Sequence, residues 1–518
     1  MMPEGGLQEP LLDDVDADGF VHRRESTANV DSFQGDVTPL RAVMEIISGA
    51  WPQTVVVASR TLICTMDSAV VGHIGTDELA AAGFANMWIF LTMVVVWQGC
   101  GDTLIALTGQ TMGAGNRPLA GLWFQTALGG AILFTIPIFV SWMFIGDIFK
   151  IMSFAGVGEG DEGNVIKLAT QFGRLSSVWI LPDAIHSMFC QWLNGLDLVV
   201  HTVPIHVFFI FFNFGANMLL VFGYGVPGWD GLGFKGSPIA TAITTTVRLV
   251  VLVLYMRNRL PEHVWNGFSR EAFTKARVNK FLEQCIPNAL AACLEYVQFM
   301  VLTVMIAGFG KDQLAAHSSM MLVFDVASAC LYGMMEGGSM KISKELGAGK
   351  PQDAKLLAKY LTIGLFVVAC CVSGLFLILR NQIGKIFSND PTVKEYFAQL
   401  ATVNAATYFL IALTFASYAI LQAQGRPNRA LYAMLVGTWI VGMPMAYVVS
   451  RVWHAGWLGV WYGSIIGYVV MTVISCAAVW GSDWHKLSQV AQQRAEVAPE
   501  DVQVRRTSSF GRRMSFSP

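Results

Sequence analysis

The sequence predicts an all-α integral membrane protein of twelve transmembrane helices, arranged as two six-helix lobes related by a parallel pseudo-twofold axis. Three observations carry that prediction. Of the 518 residues, 54% are hydrophobic and only 14% are charged, against roughly 25% charge in soluble domains. About a dozen apolar runs reach the ~20 residues that a bilayer core requires. Short strings also recur at a fixed spacing of about half the chain. The net charge of −2 provides no basic footprint for nucleic acid, so that partner class is excluded. All nine cysteines fall within apolar stretches, which argues against a disulfide framework.

Along the chain, residues 1–40 are polar and read as a disordered cytoplasmic tail, with no basic segment leading into an apolar run as a cleaved leader would have. Twelve spans follow, at 43–72, 79–108, 119–145, 167–190, 200–224, 237–257, 281–307, 313–340, 355–379, 396–421, 428–450 and 457–480. They group into an N-lobe (41–257), a basic inter-lobe linker (258–280) that serves as a hinge, and a C-lobe (281–483). Residues 484–518 read as a second disordered cytoplasmic tail, basic and Ser-rich. Alternate connections together with the two tails hold 23 of the 34 Lys and Arg residues, the opposite connections hold eight, and Arg60, Arg174 and Arg248 lie inside spans. By the positive-inside rule both termini are cytoplasmic. The expected location is a plasma or vacuole-like membrane.

The two lobes follow from self-similarity. Gly75-Thr76-Asp77-Glu78-Leu79-Ala80-Ala81 recurs as Gly310-Lys311-Asp312-Gln313-Leu314-Ala315-Ala316, an offset of 235. Gly113-Ala114-Gly115-Asn116 recurs as Gly347-Ala348-Gly349-Lys350, and Pro52 matches Pro287. Each half therefore has six spans. An even number returns the chain to its starting side, so the halves share one orientation, the parallel-repeat arrangement of carriers with sites near midplane.

The same strings carry a resemblance. Met66-Asp67-Ser68-Ala69-Val70-Val71-Gly72-His73-Ile74-Gly75, Asp102-Thr103-Leu104, Gly109-Gln110, Gly231-Leu232-Gly233-Phe234-Lys235-Gly236-Ser237, Lys344-Glu345-Leu346-Gly347-Ala348-Gly349 and Leu421-Gln422-Ala423-Gln424-Gly425-Arg426-Pro427 together resemble the multidrug and toxic compound extrusion (MATE) family, eukaryotic type, over about residues 42–480. The resemblance implies a secondary antiporter, not an enzyme, that exports a small organic solute from the bilayer-embedded protein in exchange for H⁺ or Na⁺. It implies no further cofactor and no metal, and a monomer. The alternatives are a lipid-linked substrate flippase of related architecture and an organic-anion efflux carrier. No G-x-x-x-x-G-K-[ST] loop is present, which excludes an internal nucleotide engine.

Ionisable residues within spans are functional candidates because burying them costs several kcal/mol. Asp67 lies deep in span 1 among small residues, where it suits a group that alternates between proton and cation. An ion pair with Arg60 is the structural alternative. Glu295, in Cys293-Leu294-Glu295-Tyr296, resembles the family's C-lobe transport carboxylate, and Tyr296 supplies aromatic surface for an organic cation. The chain departs from the family at Met300 and Ile411, where acids are expected, so the C-lobe is less acidic than that of its relatives. Asp325 is expected to face the cavity, and Glu336 to pair with Lys341 or Lys344. Asp183 and His186 share a helix face as a possible proton relay, with a structural pair the plainer reading. Pro52, Pro287, Gln110, Gly113 and Gly347 are the structural and gating positions, and Asp102 is expected to cap the cytoplasmic face. Arg-Arg-x-Ser strings place Ser26, Ser508 and Ser515 as acceptors for a basophilic kinase.

Overall fold

The computed structural model describes residues 37–148, 162–387 and 390–495. The tail serines Ser26, Ser508 and Ser515 lie outside them. Within the described residues all regular structure is helical. Eleven helices there are long and apolar enough to cross a membrane. They are α1 (Pro39–Gly72), α2 (Asp77–Gly113), α3 (Arg117–Met143), α6 (Val199–Phe222), α7 (Gly233–Met256), α8 (Lys275–Ala307), α9 (Lys311–Gly347), α10 (Pro351–Lys385), α11 (Pro391–Ala423), α12 (Pro427–Val452) and α13 (Trp457–Trp480). The twelfth crossing, expected at 167–190, is made in two pieces: α4 (Glu162–Ser176) and α5 (Ile180–Gly195), joined by a 3₁₀ turn at Ser177–Trp179. Its polar content and Pro182 explain the break, because proline in a first helical turn withholds no hydrogen bond that the helix needs. The start of the C-terminal tail, expected to be disordered, is instead a short helix, α14 (Trp484–Ala495), held on α9 by burial of Ala491 and by Ser488, which donates to the Leu346 carbonyl at 2.8 Å.

The repeat is visible in the backbone. Gly115 and Gly349, equivalent positions in the duplicated Gly-Ala-Gly strings, both adopt φ near +75° (75° and 77°), a conformation that favours glycine. Each reverses the chain between two spans at the end of the bundle where α1 begins. The Lys- and Arg-rich connections cluster there, so it is called the basic end below.

Two hydrophobic cores lie side by side, and the chain crosses between them twice. Ala42 and Ile46 of α1 are buried in the core built from α8 to α14, whereas Val71 at the far end of α1 belongs to the other. α8 does the reverse: Phe281 and Cys285 lie in the N-lobe core, Leu302 and Ile306 in the C-lobe core. Each helix carries an internal proline, Pro52 or Pro287, between the residues it gives to one core and those it gives to the other. These prolines each remove one helical hydrogen bond within the stretch over which the helix passes from one core to the other.

The linker is not a free hinge. Gln125 of α3 donates to the Gly267 carbonyl at 2.9 Å and accepts from the Ser269 amide at 2.8 Å, and Thr126 donates to the Ala272 carbonyl at 2.7 Å. Val264 and Ala272 are buried. Residues 258–274 are thus docked on α3 and move with the N-lobe, because several satisfied backbone groups and apolar side chains hold them there.

At the basic end the lobes meet closely. A Cβ on Gly113 would meet the Lys344 carbonyl, one on Gly347 the Gln110 carbonyl, and one on Gly337 the backbone of Gly49. Gln110 donates across to the Ala423 carbonyl at 2.8 Å, and Asn288 to Thr103 Oγ1 at 3.1 Å. Lys341 reaches Asp197 at 2.7 Å and Lys344 reaches it at 3.4 Å. Asp197 is a third exposed and holds φ of 63°. Asp197→Gly should lower stability by about 1–3 kcal/mol, since it leaves the buried Lys341 ammonium without its acceptor, a loss that glycine's ease at positive φ offsets only in part. Thermal unfolding of the purified variant checks this.

Candidate functional site

Two cavities flank α2 near its middle, where six residues, Val95–Cys100, form a π-helical turn. Such turns re-aim side chains within a helix. Here neighbouring side chains point to opposite sides: Trp97 lines the N-lobe cavity and Gln98 the C-lobe cavity.

In the N-lobe cavity the buried Asp67 carboxylate accepts from Asn217 Nδ2 at 2.8 Å and from Thr241 Oγ1 at 2.5 Å. Both donors are neutral and come from α6 and α7. Arg60, the ion-pair alternative, instead lies 4.4 Å over the Trp97 ring. Asp183 accepts from Trp97 Nε1 at 2.7 Å and sits 3.7 Å from Arg248. His186, its expected relay partner, faces Cys190 and His206 instead. Asp183 and His186 share the helix face, but their side chains reach different neighbours. Arg174, expected inside a span, is exposed and donates to the Met143 carbonyl at 3.1 Å.

In the C-lobe cavity Glu295 is surrounded by Gln98, Asp102, Asn288, Tyr332, Phe415, Tyr418 and Gln422. Tyr332 packs on Phe415 with centroids 4.8 Å apart, and Tyr418 donates to the Ala430 carbonyl at 3.2 Å. The aromatic wall beside the carboxylate is thus made mainly by α9 and α11 residues that the sequence reading did not single out. Tyr296 is half-buried next to Glu295. Asp325 is exposed on α9, within electrostatic reach of Glu295 but outside this lining. Asp102 is not a surface cap: it is buried and opens into the cavity, because the π turn brings it inward.

Glu336 corrects its expectation. It accepts from Gln191 Nε2 at 2.9 Å and from Gln53 Nε2, while Lys341 and Lys344 turn to Asp197. The reason is geometric: Gln53 and Gln191 approach from the opposite lobe, at a level of α9 that the lysines leave behind. A carboxylate of one lobe is therefore hydrogen-bonded to two amides of the other. Glu336→Leu should cost about 1–3 kcal/mol, the penalty of leaving buried donors unsatisfied, and Glu336→Gln much less; thermal unfolding separates the two.

Comparison with known proteins follows the same outline. A family model described as MatE matches residues 52–221 and again 287–448, and the two starts are 235 apart, the offset of the internal repeat. The chain is 25% identical to "Multidrug and toxin extrusion protein 1" of Xenopus tropicalis over 437 residues, covering 84% of this chain and 73% of the relative. It is 24% identical to "Protein DETOXIFICATION 17" of Arabidopsis thaliana over 472 residues, covering 89% and 94%. Its fold resembles the crystal structure of the eukaryotic MATE transporter AtDTX14, with a TM-score of 0.79 at 23% identity, covering 88% of this chain and all of that one. With both halves of the chain matched and the twelve-crossing, two-lobe fold in place, this protein belongs to the MATE family of multi-pass membrane transporters and is not an enzyme.

Proposed function

We propose that the protein is a secondary antiporter that exports organic cations in exchange for H⁺ or Na⁺, with its basic end and both termini in the cytoplasm of a cell whose plasma or vacuole-like membrane houses it. The observation that carries this reading is the setting of Asp67. Among the described residues its carboxylate is hydrogen-bonded only by neutral donors, so gaining or losing a proton changes the charge at that position with no ion pair to break.

Glu295 supports the organic-cation half of the reading. An acid against tyrosine and phenylalanine faces offers a cation both charge and aromatic surface. Asp67 and Glu295 lie in separate lobes on either side of α2, so coupling requires that ion occupancy in one lobe bias the lobe arrangement that the other experiences. The tight glycine contacts at the basic end supply one of two such arrangements. In alternating access the lobes part there and close at the opposite end.

The test is uptake of a fluorescent organic cation into proteoliposomes under an imposed pH gradient, then an imposed Na⁺ gradient. Wild type should accumulate the cation under one gradient. Glu295→Gln should lose at least about tenfold of that uptake, equivalent to 1.4 kcal/mol. Asp67→Asn should lose the dependence on the gradient while retaining downhill movement. A neutral variant at either position with full gradient-driven uptake would remove that residue from the mechanism.

A further inference from the structure

Beside the carboxylates lies a group of side chains that transport of organic cations does not require. His186 and Cys190 are four residues apart on α5 and so share one face, and His206 projects from α6 towards them. Cys190 Sγ stands 3.6 Å from His186 Nε2 and 3.7 Å from His206 Nε2. One ligand atom from each of the three lies within 4.8 Å of the others, and all three residues are buried.

These distances have a simple geometric meaning. A metal ion with a metal–sulfur bond of about 2.3 Å and metal–nitrogen bonds of about 2.0–2.1 Å in a trigonal plane holds sulfur and nitrogen about 3.8 Å apart. Both sulfur–nitrogen edges of the triangle are already near that length. The imidazole of His206 also has a partner that suits the metal-binding tautomer. Ser59 Oγ, which donates to the Val56 carbonyl at 2.7 Å, lies 3.1 Å from His206 Nδ1 and can accept that nitrogen's proton. In that tautomer Nε2, 3.7 Å from Cys190 Sγ, keeps its lone pair for a metal. A partner on the far ring nitrogen is the usual arrangement around a metal-binding histidine.

Charge selects the ion. The cavity around the cluster also holds Arg60 and Arg248, with Asp183 and Glu336 opposite them, so the fixed charges there already balance. A thiolate, two neutral imidazoles and a monovalent cation sum to zero and leave that balance undisturbed. A divalent cation would add an uncompensated positive charge next to Arg248. Thiolate and imidazole are in addition ligands that suit copper(I).

We infer that His186, Cys190 and His206 form a three-coordinate binding site for a soft monovalent cation, Cu(I). Binding forms one Cu–S and two Cu–N bonds, displaces the Cys190 thiol proton to solvent, and leaves the copper oxidation state unchanged. The bound ion ties α5 to α6 inside the N-lobe. Ser59 is a positioning residue that acts through His206.

The test uses the full-length protein in lipid nanodiscs under argon, with Cu(I) supplied as its acetonitrile complex in competition with bicinchoninate. Cys330, Cys370 and Cys371, which are exposed, are replaced by serine in every sample to remove competing thiols. The parent protein should withdraw one more equivalent of Cu(I) than Cys190→Ser or His206→Asn. Ser59→Ala should weaken binding by about 10–100-fold, as loss of a supporting hydrogen bond does. X-ray absorption on the copper-loaded parent should give one sulfur and two nitrogen neighbours. Equal Cu(I) uptake by the parent and Cys190→Ser would overturn the assignment. So would an all-sulfur copper environment in the parent, a readout that holds even if a variant fails to fold.

Discussion

Asp183→Leu is expected to cost about 3–5 kcal/mol of folding stability, the usual loss when one partner of a buried ion pair is removed. Arg248 has a side chain only 5% exposed, and its Nε atom has no hydrogen-bond partner among the described residues, so Asp183 carries most of its compensation. The same substitution also strips Trp97 Nε1 of its acceptor. The double variant Asp183→Leu/Arg248→Met should recover most of the loss, because an apolar pair of similar volume has no desolvation to offset. Thermal unfolding of wild type, both single variants and the double variant in one detergent measures the coupling directly. A loss for Asp183→Leu of only about 0–1 kcal/mol, typical of solvated pairs, would mean that water fills this cavity and screens the arginine.

Gly347→Val should reduce gradient-driven uptake at least about tenfold with the protein still inserted and folded. The added side chain meets the backbone of Gln110 in the other lobe, and backbone yields far less readily than a side-chain tip. Overpacking costs about 1–3 kcal/mol, which corresponds to a shift of the lobe equilibrium by about one to two powers of ten. Gly113→Val should behave alike, since it meets the Lys344 carbonyl and the Ala348 amide. Gly83→Val is the control, because nothing lies within 4 Å of its Cβ position. Maleimide labelling of a cysteine placed at Asn116 should rise in the first two variants and stay at the parent level in the third. Labelling that stays low in all three would show that the glycine contacts do not hold the basic end shut.

The spans were legible because each is a long run whose hydropathy is nearly independent of its neighbours, and the lobes because a duplication leaves strings at a constant offset. The partners of the buried polar groups were not legible in that way. Glu336 was paired with Lys341 and Lys344 because sequence distance ranks neighbours along one helix, whereas Gln53 and Gln191 arrive from 283 and 145 residues away. Asn217 and Thr241 escaped notice because single neutral polar residues are ordinary in membrane helices. Asn213 and Asn217, four apart within a run of phenylalanines, are the signal that would have marked α6 as facing a carboxylate. Asp102 was misplaced because a π turn adds a residue to the helical register, and hydropathy does not report it. The His186–Cys190 spacing was visible but incomplete, since His206 joins it only through the fold.

The exchange of half-helices across Pro52 and Pro287 makes the two six-helix units structurally interdependent. Each contributes the opening turns of its first helix to its sibling's core, in the manner of a swapped dimer whose subunits happen to share a chain. A cut within residues 266–269, beyond the core residue Val264, would sever only an irregular segment docked on α3 and would break neither core. The fragments ending and beginning there should therefore fail to fold when made separately and should assemble into a working complex when made together. On this view the covalent connection keeps the stoichiometry at one to one, and the interlock of α1 and α8 holds the halves in register.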